Sequence, residues 1–258
     1  MASLAQVIGD FNPSSEFNPP ADWFQGRTLY GGLTAALTLQ AVLHDTSHDL
    51  PPLKSAQVSF VGPASESLRF RTQMLRQGKS ATSISVDCLT GSDVALRAMF
   101  LFANPRPSRI RHDFSKRPSV SSPDSYKRLA KTSSEPAFIS NFDVRPAGGS
   151  MPASGSDHPE FIAWVRHLDA SGVDPAVALI ALGDSLPPAA ICSLTEFAPI
   201  SSMTWTLDLP QSAISGEWFL LRSVSQQAQD GYSLEIIEIW DESGKLVLSG
   251  SQTVAIFA

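Results

Sequence analysis

Cysteine is scarce in this 258-residue chain. Cys88 and Cys192 stand far apart and outside any C-x-x-C spacing, which predicts two buried free thiols rather than a paired motif. Long apolar runs are missing too, and nothing approaches the ~20 consecutive apolar residues of a membrane span. The opening MASLAQVIGDFNPSSEF lacks the basic n-region and apolar h-region of a signal peptide. Positive charge is short: the formal net charge is −6, which argues against DNA or an anionic membrane as the main partner. These absences together predict a cytoplasmic protein with no membrane and no nucleic-acid partner.

Several catalytic signatures are also absent. There is no G-x-S-x-G, the usual elbow of a serine hydrolase. The five histidines, His44, His48, His112, His158 and His167, include no H-E-x-x-H and have no cysteine partner, so no metal site is expected. His44 and His48, in LHDTSHD, read as a solvated turn past a helix end. Gly31-Gly32 is too short for a phosphate loop.

What is present is ordinary globular material, 43% hydrophobic and 17% charged, enough to bury a substantial core. It is arranged twice. FNPPADWFQGRTLYGG reads as loop and edge strand, and Leu33 to Leu43 follows as a helix apolar on nearly every face, hence buried. Four strand-like runs come next, KSAQVSFV, SLRFRTQMLR, SATSISVDCL and DVALRAMFLFA, separated by the turn signals GP, GK and GSD. Residues 105–136 change character: rich in Pro, Ser and basic residues, they read as a connecting segment rather than a core element. They carry eight of the 19 Lys and Arg residues, either a solvated connection or a patch for phosphate oxygens. The order then returns. AFISNFDVRP and EFIAWVRHLD read as strands. Asp174-Pro175 opens a second all-apolar helix, AVALIALGDSL, closed by Pro187-Pro188. SSMTWTLDL, EWFLLRSV, YSLEIIEIW and KLVLSGSQTVAIF complete the second set of strands. The expected organisation is an α+β chain of two tandem units, residues 1–104 and 137–258, each a sheet wrapped round its own helix. The two sheets are expected to pack face against face.

Three polar residues of the second half break its apolar pattern. Asp184 lies on one helix face with Val177 and Ile180, where the first half has Leu37 at an offset of 147. A carboxylate there loses solvation unless donors or water meet it. It is either a functional group or part of a frayed, exposed helix end. Gln252 shares a strand face with Leu248, Val254 and Ile256, where the first half has Phe100, and an inward Gln needs partners for both amide groups. Ser202 opens the strand after the helix, a place where serine is usually unremarkable.

The stretches GRTLYGGLTAALTLQA, ALIALGDSLPP, EWFLLRSVSQQAQDGYS and GKLVLSGSQTVAIF, in that order, resemble double hot-dog acyl-CoA thioesterases of the bacterial thioesterase II and peroxisomal type. The resemblance implies two tandem hot-dog folds and an acyl-CoA substrate hydrolysed without a cofactor. The water would be held by an Asp of the second helix, a Thr or Ser of the next strand and a Gln of the last. Carried onto this sequence, these are Asp184, Ser202 (with Thr204 as the fallback register) and Gln252. Gly31 and Gly32, before the first helix, are candidates for backbone contact with the substrate. Tyr30 stands where several relatives have His, so the resemblance assigns no role to the side chain at position 30. Hot-dog sheets often associate further, which leaves a homodimer or higher homo-oligomer open. Two rival readings are a hot-dog hydratase, which would want an Asp–His pair, and a non-catalytic acyl-CoA-binding protein.

Overall fold

The computed structural model describes residues 1–45, 50–130 and 135–258. In chain order the elements are α1 (Leu4–Asp10), β1 (Phe24–Gln25), β2 (Thr28–Leu29), α2 (Gly31–Asp45), β3 (Leu53–Phe60), β4 (Leu68–Gln77), β5 (Ala81–Thr90) and β6 (Asp93–Ala103). They continue with β7 (Phe142–Gly149), β8 (Glu160–His167), α3 (Pro175–Gly183), β9 (Ile200–Asp208), β10 (Phe219–Gln229), β11 (Tyr232–Asp241) and β12 (Leu246–Ile256). The short α1 is held by a capping box, Ser3 and Gln6 each accepting the other's backbone N–H, and buries Leu4 and Val7. At seven residues it is too short to show helical periodicity. AFISN, expected as strand, is a 3-10 turn over Ala137–Asn141 that follows Pro136, and the strand begins at Phe142.

The two sheets do not pack face to face, as the sequence reading expected. Ten strands form one antiparallel sheet in the order β4-β5-β6-β3-β9-β12-β11-β10-β8-β7. The seam is β3 against β9, with Ala56 opposite Leu207 and Val58 opposite Trp205. Pairing these strands satisfies two rows of backbone N–H and C=O groups that would otherwise remain bare edges. With the halves joined edge to edge, both helices fall on the same side of the sheet, where α2 packs against α3. A single apolar core then spans both halves, from Leu33 and Phe100 to Ile180 and Trp205.

The connecting segment is also more than a spacer. On the other face of the C-terminal strands Ile162, Trp164, Trp218, Leu220 and Trp240 form a second apolar cluster, and Val120 and Tyr126 of the segment pack on it. Trp164 Nε1 donates to the Ser121 carbonyl at 2.9 Å, and the Arg117 guanidinium lies 5.5 Å over the Trp164 ring. Among its described residues the segment forms a 3-10 turn at Pro123–Ser125 and no strand, and its Pro and Ser content concealed this packing. Both cysteines are buried free thiols.

Candidate active site

The site forms where α3 stops. Asp174 caps the start of α3, its carboxylate accepting from Ala176 N–H at 2.8 Å and Val177 N–H at 3.3 Å. The helix ends at Gly183, which packs against the Trp205 ring of β9, and Asp184 is the cap residue. Asp184 is therefore at a helix end, as one of its two readings held, but that end faces the start of α2 rather than open solvent.

Two glycines make this approach possible. A Cβ on Gly31 would stand 2.9 Å from Asp184 Oδ2, and a Cβ on Gly32 would stand 2.5 Å from the Tyr30 hydroxyl oxygen. The Gly32 N–H donates to the Asp184 carboxylate, as the first turn of a helix favours for an anion. From the other side Gln252 Nε2 donates to Asp184 Oδ1 at 2.8 Å. Trp205 is the cross-strand partner of Gln252, so the ring that carries the end of α3 also brings the amide to the carboxylate.

A β-bulge sets which of Ser202 and Thr204 faces inward. Thr204 opposes Thr253 and is exposed on the outer face, whereas Ser202 opposes the buried Val254 because the register slips at Met203. Plain alternation from the inward Trp205 would have turned Ser202 outward; the extra residue turns it in. Its hydroxyl reaches Gln252 Oε1 at 3.5 Å, long enough to leave that hydroxyl free capacity for another partner.

Burial pushes the Asp184 carboxyl up to about 6, against the opposing pull of the Gln252 and Gly32 hydrogen bonds. A second buried carboxylate shows the contrast. Glu235, the cross-strand partner of Gln252, is fully buried and accepts from Ala189 N–H (2.9 Å), Ala190 N–H (3.1 Å) and Ser233 Oγ (2.7 Å). It is spent on pinning the turn that follows Pro187-Pro188. Asp184 by contrast lines a cavity of about 670 Å³ that opens between the two halves.

The cavity walls are mostly apolar: Phe60 and Leu96 from the first half, Val144 and Phe161 from the second, Leu129 and Phe138 from the segment between them. Gly31, Thr34, Asp184, Ser185 and Ser202 supply polar groups. An apolar cleft with a few convergent polar groups and one perturbed carboxyl is the usual form of a small-molecule site. Ser185 was not singled out in the sequence: it is buried beside Asp184 and its hydroxyl has no hydrogen-bond partner among the described residues. Glu235 was missed as well, although an acidic residue on the inward face of a strand is a readable signal.

The remaining candidates lie elsewhere. His167 is half-buried, its Nε2 2.8 Å from the Ala178 carbonyl, and desolvation lowers it to about 4. His44 is the penultimate residue of α2 and exposed, and His48 lies outside the described residues. Among the described residues no group of three or more His, Cys, Asp or Glu could hold a metal ion. Of the basic residues in the connecting segment, Arg106, Arg109 and Arg111 are exposed, Arg128 is engaged with the Phe142 carbonyl and Asp143, and Lys131 lies outside the described residues.

Comparison with known proteins assigns this architecture. The model of the acyl-CoA thioesterase C-terminal domain matches residues 117–256, and that of the N-terminal domain matches residues 19–103. A conserved hot-dog protein of unknown function from Alicyclobacillus acidocaldarius superposes with a TM-score of 0.85 at 22% identity, covering 94% of this chain and 92% of that one. A protein assigned as a thioesterase II from Thermobifida fusca gives 0.81 at 19% identity over 94% and 92%. An acyl-CoA thioesterase II of Mycobacterium marinum gives 0.73 at 18% identity over 98% of each chain. These likenesses establish two tandem hot-dog folds. A comparison with curated proteins finds no match by sequence.

Proposed function

The chain belongs to the acyl-CoA thioesterase family and is a thioester hydrolase, and from that premise we propose that it hydrolyses acyl-CoA with a water activated by Asp184 and oriented by Ser202 and Gln252. The observation that carries this reading is the 2.8 Å bond from Gln252 Nε2 to Asp184 Oδ1 at the wall of the apolar cavity. The bond fixes one carboxylate oxygen and leaves the carboxylate as a base beside the space where an acyl group fits.

A thioester carbonyl is already electrophilic, so an oriented water, a proton acceptor and a stabilised oxyanion suffice. The acyl chain lies against Phe60, Leu96, Phe138 and Phe161. Water attacks the carbonyl carbon while Asp184 takes its proton, and the Ser202 hydroxyl holds the water in line. The Gly31 backbone N–H, at the positive end of α2, meets the developing oxyanion. Collapse of the tetrahedral intermediate breaks the C–S bond. The proton on Asp184 passes to the departing sulfur, giving a free acid and the thiol of coenzyme A. A carboxyl that titrates near 6 is a stronger base than an ordinary aspartate and still ionised at neutral pH.

The test is thiol release from saturated acyl-CoAs of increasing length, in the wild type and in Asp184→Ala. Expected is turnover that the substitution abolishes while acyl-CoA binding persists. Undiminished turnover in the variant would remove Asp184 from the mechanism. Tight binding of every acyl-CoA with no thiol release would instead make the chain a binding protein.

A further inference from the structure

Tyr30 has no part in the mechanism above, yet its side chain is buried and hydrogen-bonded at the edge of the site. It is 1% exposed, its ring stacks on Phe138 at 4.0 Å and 5°, and its hydroxyl donates to the Ala181 carbonyl at 2.8 Å across 151 residues of sequence. Its own carbonyl accepts from both the N–H and the hydroxyl of Thr34, each at 3.0 Å, and so caps the first turn of α2.

The Ala181 carbonyl is one of the groups a helix end leaves without a partner. In a continuing helix the N–H of Ser185 would bond to it, but that N–H goes to the Leu182 carbonyl at 3.0 Å because the chain turns off into Pro187-Pro188. The Tyr30 hydroxyl fills the vacancy. It can do so only because Gly32 has no side chain, since a Cβ there would occupy the position of the phenol. One residue thus grips the start of α2 through its backbone and the end of α3 through its hydroxyl. The gap it fixes is the one that the Gly32 N–H spans to reach Asp184.

We propose that Tyr30 is a positioning residue: its hydroxyl clamps the end of α3 to the start of α2 and holds the Asp184 carboxylate in the orientation that activates water. This rests on the thioesterase reading of the site. The clamp acts on the catalytic carboxylate alone, because Tyr30 does not line the cavity and Phe138 stands between its ring and that space.

Tyr30→Phe removes one oxygen atom and keeps the ring stack. Expected is a fall in kcat of about tenfold, as small misplacements of a reacting group produce, with KM for a saturated acyl-CoA within twofold of the wild type. The acid limb of the kcat–pH profile should also move to higher pH, because a loosened Gly32 N–H no longer pulls the Asp184 carboxyl down. Among the described residues, the other ionisable groups near the site are Glu135, on the cavity wall, Glu235, one strand beyond Gln252, and the Tyr30 phenol, which burial and the Asp184 charge keep neutral. Tyr30→Leu, run alongside with thermal melting of both variants, separates clamping from packing. If the clamp is real, Tyr30→Phe shows the shifted profile while melting near the wild type, and Tyr30→Leu adds a loss of stability. A Tyr30→Phe enzyme with wild-type kcat and an unmoved acid limb overturns the clamp while Asp184→Asn remains inactive. Turnover at the wild-type rate in Asp184→Asn overturns the thioesterase mechanism, and the clamp with it.

Discussion

The two halves of this chain share one plan and end their central helices differently. α2 runs for 15 residues, and Leu37 sits in its interior, wholly buried. α3 stops after nine, so the position aligned with Leu37 lies past the helix end and carries Asp184. The difference is instructive. A carboxylate in the middle of an apolar helix would be stranded, whereas one at a helix end can turn towards donors, here the Gly32 N–H and the Gln252 amide. The sequence pattern placed the reactive groups in the second half alone. Gly31 and Gly32, candidates already from the sequence, lie against Asp184, and the structure adds Tyr30, so residues of both halves meet at the end of α3.

The comparison can be broken most directly by removing the charge that one half has and the other lacks. Asp184→Asn should lower kcat by about a thousandfold, within the range expected for loss of a general base, as read by thiol release. The same change should raise stability at pH 8. The folded Asp184 carboxyl titrates at about 6 against an ordinary 3.8. Between about pH 4 and 6 the folded state therefore holds a proton that the unfolded chain has released. Ionisation of Asp184 thus lowers stability as pH rises through that window, and the deficit persists above it. Its size is on the order of 3 kcal/mol. Denaturant unfolding of the two proteins should differ by that amount at pH 8 and converge below pH 4.

The next test sets Gln252 against Phe100, its aligned counterpart. Gln252→Ala should reduce kcat by one to two orders of magnitude, on the scale of lost transition-state positioning. Phe100→Ala should cost about 3–5 kcal/mol of stability through the cavity it leaves, with the folded fraction keeping its activity. Equal activity losses in the two variants would mean that both halves carry the chemistry.

The wild-type rate itself should rise through about pH 6 as Asp184 ionises and flatten above it. A rate independent of pH between 5 and 8 would place the base elsewhere. The smallest contrast lies within β9. Ser202→Ala should slow turnover several-fold, a loss on the order of one hydrogen bond, while Thr204→Ala, on the outer face, should leave the kinetics unchanged.

Legibility varied with the range of the interactions. Strand positions were readable because alternation is local, and α3 because Asp174-Pro175 is a local start signal. The 3-10 turn at Ala137–Asn141 was misread as strand because a short apolar run fits both. The packing of Val120 and Tyr126 on the Trp-lined outer face was invisible because a Pro/Ser-rich segment has no period to read. Ser202 was a candidate from the sequence, but its inward orientation was not derivable, since it depends on a bulge that exists only in the pairing of β9 with β12.

The sequence by itself determined the repeat, the two apolar helices, and the identity of the polar residues that interrupt the second half. Those are properties of periodicity and residue type, carried by neighbours along the chain. Tertiary structure alone decided that the halves join through β3 and β9, and that the beginning of one helix meets the end of the other. Backbone edges and helix ends leave unsatisfied groups whose partners can come from anywhere in the chain. The partner of the Ala181 carbonyl is a tyrosine 151 residues away, and no local pattern encodes that distance.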